Sequence, residues 1–236
     1  NSTDADETRG VTRRGLFAVL ASSGLALPVA GCSFLFPRRY RFRMTVEVET
    51  PEGMKTGSSV MEISAYKALK ILPHQHAGGG DFLGEAVTVD LPDGPIFVLR
   101  EICSGCQPLW AQVTMAFRPE VGDAKVDTYV AAVGKLGGWF ADYKAELPRK
   151  DWPRMVRFRD LSDPISVELV RPETIGVKRI RLETTSDELT TGIDERLPWL
   201  RDRGYFLDSH SRMTIHPTLA QTISRDEFWL GPKRAR

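Results

Sequence analysis

Three short stretches carry side chains able to do chemistry. "REICSGCQPLW" holds Cys103 and Cys106 as a Cys-x-x-Cys pair. Such a pair closes a small disulfide, holds a soft metal, or cycles as a redox couple when its first thiol caps a helix. The redox reading needs a strand running into that helix. "PIFVLRE" could supply the strand and Pro108 the first helical turn, but no βαβ unit precedes them. "LPHQHAGGGDFLG" offers His74, His76 and Asp81. Two histidines at i and i+2 project to one side of a strand and could bind zinc or copper. The three glycines after them favour a mobile loop instead. "DSHS" sets Asp208, Ser209 and His210 side by side, with His216 further on. A triad is made in space, so adjacency alone supports no hydrolase. No G-x-S-x-G elbow exists, and no Lys-Ser or Lys-Thr follows the glycines to make a phosphate loop. No catalytic residue is assigned, no cofactor is called for, and a metal- or thiol-dependent enzyme remains the alternative to a binding protein.

The third cysteine has a different setting. Arg13 and Arg14 precede a mildly apolar run from Gly15 to Pro28, followed by "VAGC". A basic start, an apolar middle and a small-residue exit make a secretory signal. Val29, Ala30, Gly31 and Cys32 resemble the lipobox of bacterial lipoproteins. That resemblance implies cleavage before Cys32 and a diacylglycerol on its sulfur. "TRRGLF" resembles a twin-arginine export signal. An uncut span is the rival, because no charge interrupts Gly15 to Phe36; Pro28 and the Gly and Ser residues weaken it as a helix. The expectation is a signal peptide over 1–31, a lipidated tether over 32–37 and one domain over 38–236. It places the protein on the periplasmic side of the cell envelope, attached to the membrane through Cys32, with an envelope protein partner of unknown identity. In "SFLFPRRYRFR", Phe34, Leu35 and Phe36 would lie near lipid, and the arginines would meet anionic headgroups or else line the outer face of a first strand.

Composition excludes some classes. The 236 residues carry 32 Lys and Arg against 31 Asp and Glu, a formal charge of +1. No large positive field calls for nucleic acid. With Cys32 committed to lipid, Cys103 and Cys106 remain as an even pair, which suits an oxidising compartment.

The elements that must position these groups follow from periodicity. Tyr40, Phe42, Met44, Val46 and Val48 alternate with polar residues, a half-buried strand. "PEGMKTG" turns it into a return strand at "SSVMEISAYKALKI", and "PDG" joins "EAVTVDL" to "PIFVLREI". From Asp123, a candidate cap, apolar residues recur at helical spacing as far as Leu147, with a break expected near Gly137. "MVRFRDL", "ISVELV" and "VKRIRLETT" predict strands, and "DERLPWLRDRG" a short helix or turn. The whole predicts an α+β fold, mostly antiparallel sheet built from hairpins, with one or two short helices in the middle.

"RYRFRMTVEVETPEGMKTGSSVMEI", "GEAVTVDLPDGPIFVL", "MVRFRDLSDPISVELVRPE" and "TTGIDERLPWL" together resemble a family of bacterial, mainly proteobacterial, proteins of unknown activity. The likeness covers roughly residues 38 to 202. It implies one continuous domain and carries no catalytic residue with it.

Overall fold

The computed structural model describes residues 37–68, 78–100, 108–122, 125–202, 204–208 and 216–230. It is an α+β fold of mostly antiparallel sheet with a few short helices. Strands β1 (Arg38–Thr50) and β2 (Gly53–Lys67) pair antiparallel along their length, from Arg38 opposite Ala65 to Thr50 opposite Gly53. The alternation in β1 drives this. Tyr40, Phe42, Met44, Val46 and Val48 are all buried, while Arg41 and Arg43 lie on the opposite face. With β3 (Gly78–Gly79), β4 (Phe82–Glu85), β7 (Lys144–Glu146), β10 (Val177–Thr185) and β11 (Trp229–Leu230), they form a sheet in the order β11-β4-β2-β1-β10-β7, with β3 also on β2.

A second sheet, in the order β5-β6-β8-β9, is made from β5 (Val87–Leu91), β6 (Gly94–Val98), β8 (Met155–Phe158) and β9 (Val167–Val170). Both of its faces bury apolar side chains, although Asp90, Arg157 and Leu169 stay exposed. Ile96, Val98, Met155 and Val170 join the first core with β1 and β2. Phe97, Leu99, Val156 and Phe158 join a second core with Trp199, Ile223 and Phe228. The sheets approach closely at Gly57, where a Cβ would lie 2.0 Å from the carbonyl oxygen of Thr88. The C-terminal segment, with the short helices α3 (Ile193–Arg196) and α4 (Leu219–Thr222), forms the third layer. The Ala86 amide donates to Phe228 O at 2.7 Å and the Arg100 amide to Glu227 O at 2.8 Å.

Two helices, α1 (Leu109–Phe117) and α2 (Val126–Leu136), pack on the buried face of the first sheet through Leu109, Val113, Val133 and Leu136. The helix ends at Leu136, at the break expected near Gly137, but no second helix follows as far as Leu147. Gly137 lies against β1, where a Cβ would come within 1.9 Å of the Arg39 carbonyl oxygen. Beyond it Leu147 donates its amide to Ile180 O at 2.9 Å, as sheet pairing replaces helix. The cap of α2 is Lys125 rather than Asp123; Asp123 lies outside the described residues.

The arginines of β1 divide. Arg41 reaches Glu62 at 3.0 Å, and Arg43 reaches Glu183 at 3.3 Å and Asp187. They belong to an outer carpet of ion pairs in which Glu47 also holds Arg179 and Arg181 at 2.6 Å each. The strand-face reading therefore applies to Arg41 and Arg43.

Candidate functional site

A cavity of about 490 Å³ opens between the end of β2, the glycine run and the two longer helices, within the roughly 300–1,000 Å³ typical of small-molecule pockets. Its wall is mainly apolar: Ile63 and Ala65 from β2, Phe82 from β4, Trp110, Ala111 and Met115 from α1, and Val126 and Val130 from α2. Ser64, Tyr66, Asp81 and Tyr129 add polar atoms.

The glycines are part of the wall rather than a mobile loop. Gly78 and Gly79 pair with Lys67 and Tyr66. A Cβ at Gly78 would meet Tyr66 O at 2.4 Å, and one at Gly80 would meet Ser64 O at 2.0 Å. Only glycine lets this segment lie flat on the edge of β2. The Ser64 amide donates to Asp81 O at 2.9 Å, and the Asp81 amide to Ser64 Oγ at 3.0 Å, closing the contact.

Behind the cavity, Thr114 fixes the helices to the sheet. Its Oγ1 lies 2.8 Å from Trp110 O, 2.9 Å from Tyr40 Oη and 3.1 Å from Tyr129 Oη. A hydroxyl has one proton and two lone pairs. Thr114 donates to the carbonyl, so both phenols donate to Thr114. Burial raises the Tyr40 phenol well above its ordinary value and pushes Tyr129 up to about 12. Both stay neutral across the physiological range and are poor proton acceptors. Tyr129 meets the Trp110 ring edge to face at 5.2 Å. At the rim, Lys67 pairs with Asp127 at 2.9 Å. The arrangement suits retention of an apolar group, with hydrogen-bonding atoms near the mouth to orient a polar end.

Another buried carboxylate, Glu85, serves structure. It accepts from the amides of Gly192 at 2.9 Å and Ile193 at 3.0 Å. Gly192 has φ +115°, which glycine tolerates. Desolvation raises the Glu85 pKa despite the opposing pull of these two donors.

Of the residues singled out in the sequence, Asp81 lines the cavity, Asp208 accepts from Gln221 at 3.2 Å, and His216 is exposed. Cys32, His74, His76, Cys103, Cys106, Ser209 and His210 lie outside the described residues, as does the apolar run from Gly15 to Phe36. Among the described residues no three His, Cys, Asp or Glu side chains gather to hold a metal, and no helix is long and apolar enough to cross a membrane. Sequence reasoning missed Trp110, Thr114 and Tyr129. The signal for Thr114 was a threonine on the apolar side of "LWAQVTMAF", which buried sites admit only with partners. No family model matches the chain, and no curated protein or solved structure matches it significantly.

Proposed function

We propose that the protein is an envelope lipoprotein, exported by a twin-arginine-like signal over 1–31, tethered at Cys32, with a single domain over 38–236 that binds a small, mainly apolar ligand on the periplasmic side. The domain is a scaffold of antiparallel hairpins, and its role is capture or presentation rather than turnover. The observation that carries this reading is the cavity between β2 and the helices: an apolar wall, the neutral phenol of Tyr129 and, among the described residues, no paired acid and base in its lining. The lipobox-like "VAGC" supports the tether.

Two measurements test the two halves. N-phenyl-1-naphthylamine, a neutral apolar fluorophore, should bind with one site per chain. Val130→Trp, which fills the cavity from its half-buried wall, should abolish binding while leaving the unfolding midpoint near that of the parent. Equal binding by the filled variant removes the ligand reading. Mass spectrometry of the N-terminal peptide from the native host should find an acylated Cys32; an uncleaved, unmodified Cys32 removes the tether.

A further inference from the structure

The tether limits which face of the domain meets the bilayer. β1 begins at Arg38, so residues 33–37 are all that separate it from Cys32. Six Cα steps reach about 20 Å at most. Arg38 must stay within that distance of a lipid carried on Cys32.

Beside Arg38 lies the C-terminal end of α2. A Cβ at Gly134 would stand 3.4 Å from Arg38 Cγ and Cδ, and Gly137 abuts the Arg39 carbonyl. The next turn presents Trp139 and Phe140, which are 94% and 93% exposed. Among the described residues the next most exposed aromatic ring is Tyr205, at 54%. Two adjacent, nearly bare rings leave an unusual apolar area in water. Trp139 and Arg39 line one open cleft, so the rings and the start of β1 share a surface.

The charge around them is mainly positive. Arg38 and Arg39 are exposed, as is Lys135 in the last turn of α2. The carboxylates facing this group are Glu62, shared by Arg41 at 3.0 Å and Arg39 at 3.9 Å, and Asp142, 4.0 Å from Lys144. Arg38 has no ion pair among the described residues. Tryptophan favours the headgroup region, where its ring is half apolar and half wet, and arginines there gain from anionic phosphates.

The geometry points to a membrane-contact surface: Trp139 and Phe140 seat in the headgroup layer of an anionic bilayer, with Arg38 and Arg39 on its phosphates. This rests on the tether at Cys32 proposed above. It also sets the domain's orientation. Arg38 pairs with Ala65 of the cavity wall, so the apolar cavity lies at the end of the sheet turned to the membrane.

The test uses the mature protein from its native host, reconstituted in vesicles of phosphatidylethanolamine and phosphatidylglycerol with brominated acyl chains. Bromine quenches tryptophan only on contact. Part of the emission should be quenched, Trp139→Phe should remove that part, and exchanging the glycerol lipid for phosphatidylcholine should diminish it. Arg38→Ser with Arg39→Ser should lower quenching in the anionic vesicles and leave it unchanged in phosphatidylcholine. Quenching identical in the parent and Trp139→Phe, on protein whose Cys32 is shown to be acylated, overturns the surface and leaves the tether standing. A dimer that Trp139→Ala with Phe140→Ala dissolves, with no quenching, overturns it in favour of a second copy. Trp139-dependent quenching on protein lacking the acyl group supports the surface and sinks the tether.

Discussion

The phenol of Tyr40, in β1, donates to Thr114 Oγ1, in α1, across 2.9 Å and 74 residues of sequence. One hydroxyl on a helix thus satisfies two phenols, because the half-buried Tyr129 donates to it as well. Removing the acceptor should cost more than removing a donor. Tyr40→Phe leaves Thr114 with its other partners and should cost about 0.5–1.5 kcal/mol. Thr114→Val deprives two phenols at once, at about 1–3 kcal/mol for the buried Tyr40 and less for Tyr129, which lines the open cavity. Urea unfolding of the two variants measures the difference. Thr114→Ser should recover most of the Thr114→Val loss, and equal costs for Tyr40→Phe and Thr114→Val would exclude the shared-acceptor arrangement.

Glu85 gives the fold a pH signature. Its carboxyl is raised above the ordinary 4.5, chiefly by burial. Between 4.5 and the raised value the native chain holds more protons than the unfolded one, so stability falls as pH rises through that window. The contribution is fully present below 4.5 and lost above the folded value. Glu85→Gln should flatten that part of the stability profile. It should also cost about 1–3 kcal/mol near neutral pH, because Gly192 and Ile193 donate to different oxygens and the amide puts an NH2 donor in place of one of them. Thermal unfolding from pH 4 to 8 of parent and variant checks both. A parent profile that climbs across the window would contradict the raised value.

Much of the sheet was legible because its signal is local. Alternation from Tyr40 to Val48 predicted β1, and "PDG" marked the turn between β5 and β6. The end of α2 near Gly137 was legible from its glycines, but its cause was not, because apolar residues keep helical spacing from Val126 to Leu147 while the decision is made elsewhere. A carbonyl of Arg39 leaves no space beside Gly137, and Ile180 takes the amide of Leu147. The cavity was hidden for a related reason. Its wall comes from β2, β4 and two helices, and no single segment shows a spacing that announces it. The glycine run was visible, but its meaning was not: three glycines suit a loose loop or a segment pressed on a neighbouring backbone, and only the distance to Ser64 O and Tyr66 O separates them.

That distance gives a third prediction. A Cβ at Gly80 would lie 2.0 Å from the Ser64 carbonyl oxygen, a contact that backbone cannot relieve without moving. Gly80→Ala should therefore push Gly78–Gly79 off the edge of β2 and open the cavity wall. The expected result is weaker binding of N-phenyl-1-naphthylamine together with a lower unfolding midpoint. Gly94 stands in open space at φ +105°, so Gly94→Ala strains the backbone at a turn far from the cavity. It should cost about 1 kcal/mol or more and leave binding intact. Comparable loss of binding in both variants would show that the Gly80 contact has no special hold on the cavity.

The last prediction concerns the third layer. Phe228 is fully buried and meets Phe97 at 6.0 Å, Phe158 at 5.8 Å and Trp199 at 5.6 Å between ring centroids. These rings come from the outer face of the second sheet and from the segment after α3, and Phe158 and Trp199 also meet each other at 5.3 Å, so Phe228 completes the aromatic cluster between these parts of the chain. Its own carbonyl holds the Ala86 amide at the start of β5. Phe228→Ala should cost about 3–5 kcal/mol, the range for emptying a packed aromatic site. The loss should be shared by both sheets, since Ile96 and Phe97 are neighbours that face opposite cores. Hydrogen exchange would then rise together in β5, β6 and the segment 193–202, with β1 following. Faster exchange confined to the C-terminal segment, with the second sheet protected as before, would mean that this layer folds over a sheet already stable without it.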